Sequence, residues 1–215
     1  MCFHSKQSKS AQKVEKRFDA SILNHNHFLQ SENINGFQFL KTPIITNSNR
    51  DVIQNYNWGL IPSWAKDTEI RKFTLNARVE TITEKPSFKN NINKRCLVIA
   101  DGFYEWKWLN KSGTKKEKFL ITKPNNELYA YGGIYSEWED QNTGEIINSY
   151  SLVTTAANEL MSKIHNIKKR MPVILNKEDE SDWLDGREIK DFSLPYQTEL
   201  IATSLSDAPS LFFNN

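Results

Sequence analysis

The residue with the most chemistry to offer is Cys2, directly behind Met1. A small second side chain generally permits removal of the initiating methionine. The chain would then start with an α-amine and a thiol on adjacent carbons. The ordinary pKa of such an amine is roughly 7.7–8.0 and that of a thiol about 8.5, so both keep a nucleophilic fraction at neutral pH. An amine condenses with an aldehyde to an imine, and a thiol two atoms away closes on the imine carbon as a five-membered thiazolidine. Position alone does not require that chemistry, because a small second residue also occurs by chance.

Three other polar residues sit where a plain core does not need them. Asn76, in TLNARVET (74–81), reads locally as the cap of a helix N-terminus. Glu105, in ADGFYEW (100–106), ends an apolar strand between Tyr104 and Trp106. It is either the solvent-facing member of an alternating strand, which the alternation favours, or an acid in an aromatic wall, where its pKa would rise and suit proton transfer. His165, in IHNIKKRMPVIL (164–175), is either a structural imidazole or a proton shuttle near neutral pH. Lys163, Lys168, Lys169 and Arg170 form a run with no acid between Met161 and Lys177. Such a run is a solvated face or one wall of a phosphate groove. In NWGLIPSWAKD (57–67), Pro62 stiffens a loop presenting Trp64, whose indole stacks on an unpaired base or lids the core. His4, His25 and His27 show no metal-ligand spacing, and there is no phosphate-cradling glycine loop or dinucleotide fingerprint. The sequence therefore implies no metal and no cofactor.

The elements that must position these groups are mostly strands. Strands are expected over 42–46, 51–58, 95–108, 117–122, 128–135, 146–155 and 198–204, separated by turn signals such as Asn110–Gly113, Pro124–Asn126 and Asp140–Gly144. Val14 and Phe18 at i,i+4 spacing behind Ser10 predict a helix over 10–18, and a second is expected over 176–184, closing near Gly186. Strands spread along the whole length, with no repeat and no linker, imply one mixed α+β domain over 1–215. The tails 1–9 and 206–215 read as loose, except that Cys2 must dock if it acts.

Composition narrows the setting. The chain has 215 residues, 25% of them charged, and a formal net charge of +2, which excludes a strongly basic nucleic-acid coat but not a local basic groove. Its two cysteines, Cys2 and Cys96, make neither a disulfide framework nor a zinc site, and Cys96 in RCLVIA (95–100) reads as a buried core thiol. A reducing cytosol is the expected compartment. Residues 3–18 are polar and basic rather than a secretory leader, and no run approaches the ~18 apolar residues of a membrane span.

Taken in order, Met1-Cys2, WGLIPSWAKD (58–67), LNARVET (75–81), EKPSF (84–88), RCLVIADGFYEW (95–106), LVTTAANELM (152–161) and IH…RMPVIL are far more specific together than singly. On these motifs the chain resembles the SRAP family, the SOS-response-associated peptidases or abasic-site processing proteins. The resemblance implies a single domain with a β-barrel-like, mostly antiparallel core flanked by helices. It also implies covalent capture of abasic sites in single-stranded DNA during the DNA damage response, by a monomer that is cytoplasmic and nucleoid-associated when bound.

The implied constellation is Cys2, Asn76, Glu105 and His165. His165 would protonate the sugar ring oxygen, the α-amine of Cys2 would attack C1′, and Glu105 would orient the amine and move protons. Asn76 would hold terminus and sugar. Arg78 and Arg170 would contact phosphates, with Lys168, Lys169 and Trp64 along the strand. Two departures stand out: Phe3 and His4 replace the family's common Gly-Arg, and Asn166–Lys169 lengthen the segment between His165 and Arg170. Two rival classes remain open. One is an N-terminal-nucleophile cysteine peptidase, including removal of its own Met1; the other is a non-covalent single-stranded DNA reader.

Overall fold

Five strands close on themselves. The chain runs through β1 (His4–Gln7), α1 (Ala11–Phe18), β2 (Ser21–Ile22), β3 (Ser31–Asn35), β4 (Lys41–Thr46), β5 (Asn49–Trp58), β6 (Asn76–Arg78), β7 (Arg95–Ala100) and β8 (Gly102–Trp108). It continues through β9 (Lys116–Thr122), β10 (Tyr129–Glu139), β11 (Ile146–Ala156), α2 (Glu159–Ile164), β12 (Arg170–Pro172), α3 (Glu180–Leu184) and β13 (Ile201–Ser204). The computed structural model describes residues 2–194, 196 and 198–206; the expected tail 206–215 lies, apart from Ser206, outside them. Strands β11, β10, β7, β4 and β5 pair antiparallel in that order, and β5 returns to β11 in parallel through Asn57↔Ser149 and Trp58↔Tyr150. The ring leaves none of these five strands as a free edge. The result is the α+β, mostly antiparallel barrel that the resemblance implies.

The strand β7 explains why RCLVIA is apolar throughout. Cys96, Val98 and Ala100 belong to one core cluster and Leu97 and Ile99 to another, on opposite faces of the strand. A strand buried on both faces needs no polar alternation. The second of these clusters is covered by Val14 of α1 and by Trp183 and Leu184 of α3. Cys96 is fully buried.

A second sheet, in the order β13-β9-β8-β1-β3, sets the N-terminus in place. Here the structure corrects the expectation of a loose tail over 1–9. Strand β1 is internal, pairing Ser5 with Phe103 on one side and with Ile34 on the other. Its polarity misleads because its buried side chains are polar, and two of them, Ser5 and Lys6, find polar partners in Tyr131 and Asp101. Asp101, fully buried between β7 and β8, accepts from Lys6 Nζ (2.8 Å), Ser8 N (2.8 Å) and Ser8 Oγ (2.7 Å). Its own N–H donates to the Lys6 carbonyl at 2.9 Å. Asp101 also divides the single strand expected over 95–108 into β7, which stays in the barrel, and β8, which joins the second sheet.

Other differences are local. The helix expected over 10–18 is α1, ended by Asp19 in the left-handed region. The one expected over 176–184 is a 3-10 turn at Lys177–Asp179 followed by α3. The strand expected over 128–135 continues to Glu139, because Trp138 packs on Ile61 and Ala65 and donates to the Ala65 carbonyl at 2.7 Å. Helix α2, capped by the Asn158 side chain on Met161 N, carried no clear sequence signal. Among the described residues, no helix is long and apolar enough to cross a membrane.

Candidate active site

Asn76 is a strand residue, not a helix cap. Strand β6 pairs in parallel with β11, matching Asn76 to Leu152 and Arg78 to Thr154, which fixes the Asn76 side chain beside the N-terminal segment. The β-sheet ladder outweighed local capping chemistry here. Asn76 Nδ2 donates to the Cys2 carbonyl at 2.9 Å, while its Oδ1 is buried without a hydrogen-bond partner. A buried amide oxygen left unpaired costs stability, so such an atom points to a group that joins it in use.

Cys2 itself is 1% exposed and packs in the same cluster as Phe103, Tyr129 and Tyr131. Burial, with the negative charge of Glu105 adding to it, pushes its thiol up to about 12. The thiol is therefore a protonated S–H at neutral pH.

Glu105 is 8% exposed, which corrects the alternation-based reading of a solvent-facing carboxylate. It does share its face with Phe103, but that face is interior, since Phe103 is fully buried in the core cluster that also holds Cys2 and Tyr131. Burial raises its carboxyl above the usual range, against the opposing pull of the terminal ammonium and of the Trp106 N–H, which donates to Oε1 at 3.1 Å. Its other oxygen lies 4.0 Å from His165 Nδ1.

His165 caps the C-terminal end of α2. Its Nδ1 lies 2.8 Å from the Arg170 carbonyl and 3.2 Å from the Arg170 N–H. One nitrogen cannot serve both roles. The shorter contact puts the proton on Nδ1, donating to the carbonyl, and leaves Nε2 as the basic nitrogen. Burial first, then the positive chain terminus, lower its pKa to about 4. The longer segment after His165 is pinned to β8, because the Asn166 amide takes the Trp108 N–H (3.1 Å) and donates to the Trp108 carbonyl (2.8 Å).

Two cavities open over this group and share Phe3, Glu105, Trp106 and Lys116. One, of about 240 Å³, adds Trp108, His165, Ile167 and Lys168. The other, of about 270 Å³, adds His4, Phe37 and Tyr104. Glu105 and His165 line this cleft, while Cys2, held by Asn76, is buried close enough for the charge of Glu105 to act on its thiol.

The remaining sequence candidates are placed less uniformly. Arg78 and Lys169 are exposed, and exposed Lys168 lines the cleft. Arg170 is buried, with Nη1 on Glu80 Oε1 at 2.5 Å and Nη2 on the Thr154 carbonyl at 2.7 Å. Trp64 is 52% exposed and donates to the Pro86 carbonyl at 3.2 Å, so it is no lid over the core. The sequence reading passes over Asp101, Lys116 and Phe37. A lone aspartate inside the run RCLVIADGFYEW was a usable signal for the first; the other two carry none outside the fold. Among the described residues no His, Cys, Asp and Glu cluster could hold a metal.

A closed mixed barrel with a cysteine docked at its N-terminal end defines one class of protein, and the chain belongs to the SOS response associated peptidase (SRAP) family, whose model matches residues 1–208. Among its relatives is the abasic site processing protein YoqW of Bacillus subtilis, 42% identical over 67% of this chain and 62% of that protein. The abasic site processing protein HMCES of Gallus gallus is 34% identical over 66% of this chain and 48% of its own. The chain thus spans less than two thirds of the length of these two relatives. A solved structure of a Bacteroides thetaiotaomicron protein superposes with a TM-score of 0.86 at 37% identity, covering 96% of this chain and 93% of that one. One from Bordetella bronchiseptica reaches 0.79 at 25% identity, over 95% and 99%.

Proposed function

We propose that the protein, beginning at Cys2 after loss of Met1, captures abasic sites in single-stranded DNA as a covalent thiazolidine and so shields the lesion in the damage response. The observation that carries this reading is the seat of Cys2. Asn76 holds its carbonyl at 2.9 Å and keeps a buried, unpaired Oδ1 beside it, next to a carboxyl whose proton affinity burial has raised.

The steps balance as follows. The closed sugar opens to its C1′ aldehyde; the α-amine adds to C1′; the carbinolamine loses water to an imine. The S–H then adds across the C=N bond, sulfur to C1′ and hydrogen to nitrogen. No net proton leaves, so a thiol held protonated suits the closing step. Glu105, kept neutral to higher pH than an ordinary carboxyl, is the suited proton carrier for ring opening and dehydration. Burial, the largest cause, holds the His165 pKa well below its ordinary value, so the ring is neutral at pH 7. Its Nε2 therefore serves first as an acceptor, and protonating it would favour reversal of the adduct. Asn76 Oδ1 accepts from the amine or a sugar hydroxyl. Exposed Arg78, Lys168 and Lys169 hold phosphates, Trp64 offers a stacking face, and Arg170 orients His165 through its carbonyl.

A peptidase needs a thiolate, which burial and Glu105 disfavour here, so that reading has less support. The test is incubation of the mature protein with an abasic oligonucleotide, followed by denaturing electrophoresis and intact mass. A denaturation-resistant adduct one water lighter than the sum of its parts, lost in Cys2→Ala, is expected. Peptide cleavage without an adduct would favour the peptidase, and reversible binding by both forms would favour a reader.

A further inference from the structure

Of the residues lining the 270 Å³ cavity, only Glu105 has a part in the steps above. The cavity is smaller than the roughly 300–1,000 Å³ of whole small-molecule sites, so it fits one group of a larger ligand. Its lining is mostly aromatic, Phe3, Phe37, Tyr104 and Trp106, joined by His4, Glu105 and Lys116. The Phe3 and Phe37 rings stand 5.0 Å apart at 36°, and Phe37 is 49% exposed.

Their arrangement is built rather than incidental. The Gly36 N–H donates to the Phe3 carbonyl at 2.9 Å, and Asn35 Oδ1 accepts from the Phe37 N–H at 3.1 Å, so the turn carrying Phe37 is tied to the strand carrying Phe3. His4 is engaged, with Nδ1 3.1 Å from Asn33 Oδ1 and its ring 4.9 Å from Trp106. Lys116, which lies along Trp108 at 5.0 Å, is a cation lining both cavities, whereas Lys118 sits over the Tyr104 and Trp106 rings at 4.2 and 5.5 Å. Exposed Phe37 and half-buried Phe3, the residue after the nucleophile, thus form a paired aromatic face in a cavity that Lys116 also lines. Planar bases stack on aromatic faces whatever their sequence, and a nearby ammonium takes the phosphate.

We infer that this cavity is a nucleobase subsite: Phe3 and Phe37 receive the base of the nucleotide next to the lesion, and Lys116 its phosphate. The inference rests on the proposed capture of abasic strands. It makes Phe3 the group through which this protein senses its lesion's neighbour.

The test measures adduct formation at subsaturating protein on four abasic oligonucleotides. They carry a normal base on both sides of the lesion, or an inert tetrahydrofuran spacer on the 5′ side, the 3′ side, or both. The wild type should lose about tenfold in rate when one particular neighbour is replaced, as expected for one lost base stack. That ratio should collapse towards one in Phe3→Gly and in Phe37→Ala, even if either variant reacts more slowly overall. In Lys116→Ala the ratio should persist while the salt dependence of the rate weakens by about one phosphate contact. Wild-type rates indifferent to both neighbours, or a ratio that survives in both phenylalanine variants, would overturn the subsite. Absence of any adduct with all four oligonucleotides would instead refute the capture reaction. Binding of the same strands, read by fluorescence anisotropy, would then still show whether the neighbour's base matters.

Discussion

The grip of Asp101 on the N-terminal strand makes a quantitative prediction. Asp101→Asn keeps the shape and an acceptor for Ser8 N but removes the charge that faces Lys6 Nζ at 2.8 Å. Breaking a buried ion pair by neutralising one partner costs about 3–5 kcal/mol. The lower end applies here, because Lys6 keeps a second carboxylate, the largely exposed Glu32 at 3.5 Å, and its own side chain is 11% exposed. A loss of about 3 kcal/mol is therefore expected in urea unfolding at pH 7.

The pH dependence has a defined sign. Burial alone would raise the Asp101 carboxyl, but its hydrogen bonds to Lys6 and Ser8 outweigh that and hold it below its usual value. A carboxyl depressed in the folded state contributes stability above its unfolded pKa of about 3.9 and loses it as pH falls through the folded value. The variant should accordingly lack this part of the wild-type acid limb. Hydrogen exchange should locate the damage in β1, with the barrel strands unaffected near neutrality. A variant within 0.5 kcal/mol (about the scatter of surface substitutions) of wild type, with unaltered exchange at residues 4–7, would refute the idea that Asp101 seats the nucleophile.

Further outcomes concern the cleft. Glu105→Gln should slow adduct formation by about 100-fold or more, the usual scale for a lost general acid, and an unchanged rate in single-turnover kinetics would remove Glu105 from the reaction. His165, followed by NMR, should titrate near pH 4 rather than near 6.5, with stability falling as acid protonates the unfolded imidazole first; an ordinary midpoint would contradict its burial. Glu80→Gln should free Arg170 Nη1 and strengthen salt-sensitive binding of undamaged single strands, and unchanged anisotropy titrations would show the guanidinium staying with Thr154. Gly132→Ala should destabilise by about 1–3 kcal/mol in urea unfolding, since its Cβ would meet the Trp183 ring at 2.8 Å; wild-type stability would mean that α3 shifts freely.

What the sequence reveals divides along a physical line. The elements whose burial is apolar, such as β7 and α1, are legible because pattern and environment agree. Strand β1 is not, because Ser5 and Lys6 are buried against Tyr131 and Asp101, partners far along the chain. Asn76 misleads for a related reason: its parallel pairing with β11 is non-local, while the capping signal is local. Glu105 shows the limit of alternation, since both faces of β8 are covered near its start. The motifs named the four central residues through resemblance. The distances among them, the raised carboxyl, the lowered imidazole and the Phe3–Phe37 contact depend on the fold.

The two thiols belong to different sheets, and this gives them different clocks. Cys96 sits in a ring without free edges, so it reaches solvent only when the whole ring opens. Cys2 precedes a four-residue strand that lies outside that ring, so exposing it does not require the ring to open. An alkylating reagent should therefore modify the two sulfurs at widely separated rates, the faster reporting how often the reactive end lifts from its seat and the slower reporting global unfolding in the same molecule.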